Sequence, residues 1–380
     1  MRDGHRGVER ERNMRELNPK RAVVKIGTNT ICTSAGTVDQ DYLDDVARQV
    51  MDLVAKGVQT IIVTSGAIGS GSSELGLNGK QKDMAMRQAC AAVGQATLMM
   101  AWRDAFKRHG RTVGQVLLTY GAFSDRIRYL NLRKAIDEMF RLGVVPVVNE
   151  NDVISTDEIE EVFGDNDKLS ALVASKMDAD LLILLTDVQG LYDRNPEADP
   201  DARLLSTVDE ITKDIERMAG MGRSDRSVGG MKSKINAAKM AMASGCSMII
   251  AHGRTKNVIV RLVEGEEIGT LFTARARYSN KQRWILFAAP RGKLLVDEGA
   301  ERALRQGKSL LPCGIISFQG RFKKGEVVRI NAFAKGMVNF SSSEMPKLIE
   351  HCRAEKANGI DKVSNSKVIV TKGNLVLLER

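Results

Sequence analysis

A chain of 380 residues, 43% of them hydrophobic, is too long for one ordinary domain and apolar enough for well-formed cores, so two domains are expected. Five scattered cysteines (Cys32, Cys90, Cys246, Cys313 and Cys352) without a C-x-x-C pair argue against a disulfide framework or a cysteine zinc site, and no run of about 18 apolar residues suggests a membrane span or export, so a cytoplasmic protein is expected. The net charge of +10 is unevenly spread: residues 273–380 carry 21 Lys/Arg against 9 Asp/Glu, so a near-neutral body precedes a basic C-terminal part.

Residues 1–20 are mixed in charge and poor in apolar side chains, and read as a disordered extension. Order is expected from Arg21, where a short β-branched strand ends in Lys25-Ile26-Gly27-Thr28. A helix over about 39–56 follows, with Gly57 as its C-cap. A second apolar strand, 60–63, then breaks into the small-residue turn Thr64-Ser65-Gly66-Ala67. Helices over about 84–109, 126–142 and 166–177 alternate with strands over 113–118, 144–148 and 181–185. Near-continuous apolar strands alternating with helices predict a doubly wound, mostly parallel α/β sheet over 21–272.

Two of these strands end in residues that packing does not require. Val144–Val148 delivers Asn149, Glu150, Asn151 and Asp152, and Leu181–Leu185 delivers Thr186 and Asp187. Between them, Phe163-Gly164-Asp165-Asn166-Asp167-Lys168 opens a helix. Open α/β sheets bind ligands beyond the carboxyl ends of their strands, so these residues predict a site for a small polar ligand. A glycine-rich stretch from Gly220 to Lys234 leads into a helix over 235–244; the pattern alone does not separate a phosphate loop from a turn. Walker A is ruled out, because Arg302 stands where the leading glycine of Gly307-Lys308-Ser309 would be.

Lys25, Lys234, Asp165, Asp167 and three glycine turns together suit phosphoryl transfer, in which lysines and Mg²⁺ neutralise the moving group and a carboxylate holds the lysines. Each residue also has an ordinary use: Lys25 as a surface charge, Asp152 and Asp165 as caps or turn formers, Asp187 as a turn starter. Ser65 as a nucleophile would lack a base, since His5, His109, His252 and His351 have no acid spaced to form a triad.

Beyond Phe272 the texture changes. Residues 273–290 read as a linker, and short β-like pieces at 293–296, 314–318, 326–330, 368–370 and 374–378 predict a small, mostly β domain over 291–370, followed by a strand or tail over 371–380.

The motifs VVKIGTNT, IVTSGAIGSG, VVNENDVIS, FGDNDKLSA, LLTDVQGLY and GGMKSK, in this order, resemble the glutamate 5-kinases of the amino acid kinase family. DEGAERAL, GKSLLPCGI and GRFKKGEVVRI resemble the PUA domain that many of them carry. The resemblance implies transfer of the γ-phosphoryl group of ATP, with Mg²⁺ brought by ATP rather than by protein ligands, to the γ-carboxylate of L-glutamate in the first step of proline synthesis. It also implies catalytic Lys25, Lys234 and Asp167, and amino acid binding by Ser65, Asp152, Asn166 and Asn149. Nucleotide contacts would come from Lys25, Gly27, Gly66, Thr186, Asp187 and the run Val228, Gly229, Gly230, Met231, Lys232, Ser233 and Lys234. Further implications are proline inhibition through the loop 155–164 and a homo-oligomer, taken as a tetramer.

The chemistry agrees, because a carboxylate acceptor with a pKa of about 4.3 needs no general base. Val228 and Tyr120 depart from the family pattern, where threonine and arginine are expected. Two other readings stay open: RNA binding through the basic PUA-like part, and a kinase acting on another carboxylate such as aspartate or acetylglutamate.

Overall fold

The computed structural model describes residues 14–33, 36–77, 79, 81, 83–119, 121–154, 166–220, 230–274, 280–357 and 368–378. The chain divides into two compact units, Met1–Ala122 with Ile127–Arg277, and Phe123–Arg126 with Tyr278–Arg380.

The first unit is built on eight strands: β1 (Arg21–Ile26), β2 (Gln59–Val63), β3 (Val113–Leu118), β4 (Val145–Glu150), β5 (Leu181–Thr186), β6 (Thr207–Val208), β7 (Ser247–His252) and β8 (Thr270–Phe272). Their order across the sheet is β3-β4-β2-β1-β5-β7-β8-β6. Neighbouring strands run parallel except β7 and β8. Strands β1, β4 and β5 are buried on both faces, as their uninterrupted apolar runs predict. One core formed by Val24, Ile26, Leu43, Val50, Ile62, Trp102, Ile183 and Ile259 fills the space between sheet and helices.

Local chemistry sets the element ends. Helix Gln40–Ala55 begins where the Asp39 carboxylate accepts from the Tyr42 amide at 3.1 Å, and Gly57 follows it in the left-handed conformation at φ 82°. Helix Met84–Lys107 begins likewise at Asp83, which accepts from Met86 N at 2.8 Å. The helix expected over 235–244 starts earlier, at Met231, so Lys234 stands in its first turn rather than in the loop before it. Nothing from Met231 onward opposes helix, and Gly230 occupies the N-cap.

Residues 14–20 are docked rather than free. The Arg15 guanidinium donates to the carbonyls of Ile268 and Ser206, both at 2.8 Å, and Leu17 packs on the core. Arg15 thereby ties the segment before β1 to the backbone beside β8 and β6, sharing the Ser206 carbonyl with the Leu271 amide.

The second unit holds β9 (Lys293–Val296), β10 (Ile315–Gln319), β11 (Val327–Ile330), β12 (Ala334–Met337) and β13 (Leu375–Leu377), in the order β10-β9-β11-β12-β13. Helices Glu298–Arg305 and Met345–Ala357 accompany them. Its core includes Leu294, Leu304, Ile315, Phe322, Val328, Ile330 and Val370. The stretch read as a linker contains helix Asn280–Phe287, whose Ile285 is buried with Ala288, Val327 and Val376, so its apolar residues give it a place in this unit. Residues 368–370 form a single bridge, Leu310 to Val370, instead of a strand. The last described residues are integral to the sheet, because β13 pairs with β12.

Candidate active site

The carboxyl ends of β1, β2, β4 and β5 meet the N-termini of helices Ala67–Glu74, Asn166–Lys176 and Met231–Ala243. At their centre is Asp167, fully buried. Lys25, from the end of β1, donates to Asp167 Oδ1 at 2.5 Å, and Lys234, from the first turn of helix Met231–Ala243, donates to Oδ2 at 3.0 Å. Both lysines are largely buried, their side chains 6% and 11% exposed. The three charges sum to +1 in a place shielded from water, which suits an anion that accumulates charge. Burying the lysines without Asp167 would cost far more than the pairing returns.

Asn166, one residue before Asp167, is also buried. Its Nδ2 donates to the Thr64 carbonyl at 2.5 Å, to Asn149 Oδ1 at 2.8 Å and to Ser65 Oγ at 3.1 Å. The ends of β2 and β4 and the start of helix Asn166–Lys176 are thereby tied together, and three of the four residues expected to hold the amino acid are brought into contact. Asn149 in turn donates to Gln95 Oε1 at 2.7 Å, and Trp102 Nε1 donates to Thr64 Oγ1 at 3.0 Å, both from helix Met84–Lys107. Asp152, the fourth, lies just beyond β4. Burial, and then the charge of Glu150, push its carboxyl up to about 7, against the pull of Arg87.

The turns after β1 and β2 are pressed together. Gly66 has φ 103°, and a Cβ there would approach Cys32 Sγ and Ile31 Cγ2, each to 3.1 Å, so only glycine fits without displacement. Helix Ala67–Glu74 crosses helix Met84–Lys107 at two glycines: a Cβ on Gly71 would lie 1.9 Å from the Cys90 carbonyl oxygen, and one on Gly94 would lie 2.0 Å from that of Ala67.

Gly27 departs from expectation. Its N–H is donated to Leu185 O at 3.0 Å, so it cannot face a phosphate; the amides left over at the start of helix Thr28–Ile31 are those of Thr28 and Asn29. On the same side, Asn29 Nδ2 donates to Asp187 Oδ2 at 2.8 Å, and Thr186 Oγ1 donates to Asp187 Oδ1 at 2.9 Å. Partial burial pushes the Asp187 carboxyl up, but hydrogen bonds from Asn29 and Thr186 and the charge of Lys234 outweigh it, leaving its pKa below the usual carboxylate value.

Gly230, Met231, Lys232, Ser233 and Lys234 open their helix, with Ser233 N donating to Gly230 O at 3.0 Å. Val228, Gly229, Tyr120, Asp165 and the loop 155–164 lie outside the described residues. Gln95, Asn29 and Trp102 belong to the site although the sequence reading did not select them. Their sequence surroundings do not show what each polar group meets; only the fold does.

The description "Amino acid kinase family" matches residues 20–252, and "PUA domain" matches residues 292–360. The chain belongs to the amino acid kinase family. Among its relatives are proteins named glutamate 5-kinase from Methanosarcina mazei, 45% identical over 98% of this chain and 99% of that protein, and from Methanosarcina barkeri, 43% identical over 98% and 100%. A third, from Syntrophotalea carbinolica, is 45% identical over 87% of this chain and 90% of its own length. In this amino acid kinase the family match spans the strand ends and helix starts that carry Lys25, Asp167 and Lys234, while the PUA match falls within the second unit.

Proposed function

We propose that the chain is a glutamate 5-kinase, which transfers the γ-phosphoryl group of ATP to the γ-carboxylate of L-glutamate to give γ-glutamyl phosphate, the first step of proline synthesis. The observation that carries this reading is the buried Asp167 carboxylate gripped by Lys25 and Lys234, beside the linked amides of Asn149 and Asn166. Relatives named glutamate 5-kinase over nearly the full chain supply the acceptor.

In the reaction, an oxygen of the ionised acceptor carboxylate attacks the γ-phosphorus. The bond from that phosphorus to the β–γ bridging oxygen breaks, and ADP leaves with the electron pair. No proton has to be removed. Lys25 and Lys234 offset the negative charge on the moving group and on the leaving oxygen, and Asp167 keeps both ammonium groups directed to one place. Asp152 and the carboxamide oxygen of Asn166 take the acceptor's ammonium group, and Ser65 and Asn149 confine its position. The amides of Thr28 and Asn29, the residues Gly66, Thr186 and Asp187, and the run from Val228 to Lys234 hold the nucleotide.

In this reading Mg²⁺ is brought by ATP and ligated mainly by its phosphates; among the described residues no group of three or more His, Cys, Asp or Glu side chains converges. When bound with ATP, such an ion would add positive charge to that supplied by Lys25 and Lys234. Proline competing near the glutamate subsite, a homotetramer and a cytoplasmic location complete the proposal. Among the described residues no helix is long and apolar enough to cross a membrane.

The test is ATP- and Mg²⁺-dependent acyl-phosphate formation, trapped with hydroxylamine, on L-glutamate beside aspartate, N-acetylglutamate and UMP. Product from glutamate that disappears in Lys234→Ala supports the assignment. Product from another acceptor alone would move the chain to a different substrate.

A further inference from the structure

The amides of the acceptor site form a chain with a fixed sense. It starts at the Thr64 carbonyl, which can only accept, so the Asn166 carboxamide must turn its Nδ2 toward it. Asn149 then has to offer Oδ1 to Asn166 and Nδ2 to its other neighbour, and Gln95 meets that Nδ2 with Oε1 at 2.7 Å. Each orientation forces the next, and rotating any one amide would set donor against donor or acceptor against acceptor. The chain therefore ends on the Gln95 Nε2 group, which is buried and has no hydrogen-bond partner among the described residues.

A buried amide donor without an acceptor is costly in a finished structure and expected where a ligand completes it. The helix that carries Gln95 serves this site at two other points. Trp102 bonds Thr64, and the charge of Arg87 acts on Asp152. Gln95 thus stands next to Asn149, one residue removed from Asn166, among the amides expected to hold the amino acid.

We propose that Gln95 is an acceptor-binding residue, whose Nε2 donates to a carboxylate of the acidic amino acid while its Oε1 fixes the Asn149 and Asn166 amides for that same substrate. The inference rests on the glutamate kinase reading. Its logic is a division of labour: acidic and carbonyl oxygens take the ammonium end, and Gln95 supplies a neutral donor for a carboxylate end. A lysine or arginine there would hold the carboxylate too, but would compete with the ammonium for Asp152.

The discriminating variant is Gln95→Glu, which keeps an oxygen for Asn149 and exchanges the free donor for an acceptor carrying negative charge. Initial rates are measured with glutamate varied at saturating ATP and with ATP varied at saturating glutamate, alongside thermal unfolding with and without glutamate. The expected result is a KM for glutamate raised about tenfold or more, a KM for ATP within about twofold of wild type, and a lost glutamate-induced rise in Tm. Gln95→Met, similar in length but apolar, provides a second route should the first variant fail to fold, and is expected to shift KM in the same direction by a smaller factor. An unchanged glutamate KM in whichever variant folds, with only Tm lowered, would assign Gln95 a structural role and overturn the inference. If the wild-type enzyme forms no acyl phosphate from glutamate, the kinase reading fails and this inference falls with it, an outcome distinct from the previous one.

Discussion

Lys25 and Asp167 join strand β1 to helix Asn166–Lys176 through a 2.5 Å contact between groups that are both almost completely removed from water. Asp167→Asn keeps the size of the side chain and removes its charge, leaving two buried ammonium groups to repel each other. We expect kcat to fall by about 10²–10³-fold with a smaller change in KM for glutamate. Steady-state kinetics on both substrates check this, and an equal loss through KM alone would mean that Asp167 only binds.

Asp152 gives the enzyme a pH signature. Its folded pKa of about 7 lies above the ordinary value of 3.8, so the free enzyme loses the charge that meets the substrate ammonium as pH falls through 7. kcat/KM for glutamate should drop toward tenfold per pH unit below that point. The sign for stability is opposite. A raised carboxyl pKa costs nothing below the unfolded value, costs progressively more as pH rises from about 4 to 7, and is constant above that. Asp152→Asn should therefore raise Tm at pH 8 and leave it unchanged near pH 4, while abolishing glutamate turnover. Thermal scans at the two pH values, set beside the rates, test both signs.

The glycine crossing at Gly71 and Gly94 predicts intolerance to a single methyl group. Gly71→Ala places a Cβ on the Cys90 carbonyl, a collision with backbone that no side-chain rotation relieves. We expect a loss of about 1–3 kcal/mol or more, read as a Tm lower by about 2–4 °C per kcal/mol. Gly76→Ala, where nothing lies within 4 Å of the added atom but φ is 65°, is the comparison that separates clash from backbone strain.

Asn29 ties the turn after β1 to Asp187 after β5. Asn29→Ala removes one hydrogen bond to a carboxylate that is still held by Thr186. KM for ATP should rise by about 2–10-fold while KM for glutamate stays put. A shift in glutamate KM of the same size would place Asn29 on the acceptor side.

The centre of the first unit was legible because its strands are buried on both faces: VVPVV and LLILL have no solvent side to blur the pattern, and β4 and β5 fall where their apolar runs put them. Strands β6, β7 and β8 escaped notice: two or three residues carry no periodicity in β6 and β8, and the apolar part of β7 is only Met248–Ala251. In the second unit β12, Ala-Lys-Gly-Met, has low strand propensity and is held by its partners β11 and β13 instead. The site was legible in its residue types and obscure in its pairings. Strand-end chemistry suggested Asn149, Asp152 and Asp187, whereas the roles of Lys25, Asp167 and Lys234 came from family resemblance, since no spacing in sequence reveals that residues so far apart share one carboxylate. Gln95 was hidden for a related reason: one of two glutamines in a helix rich in alanine and methionine gives no sign that its partner is Asn149.

The place of β1 has a consequence for how the chain comes together. It is the earliest strand in the sequence and lies at the middle of the sheet, hydrogen-bonded to β2 on one edge and β5 on the other. Until Leu181–Thr186 is available, one side of this apolar strand has no mate. A nascent or truncated chain ending before that point presents an open, aggregation-prone edge, and refolding must close a long loop before the centre of the sheet is complete. Lys25 and Asp167 lie on either side of that closure, so activity should return during refolding only after β1 and β5 have paired.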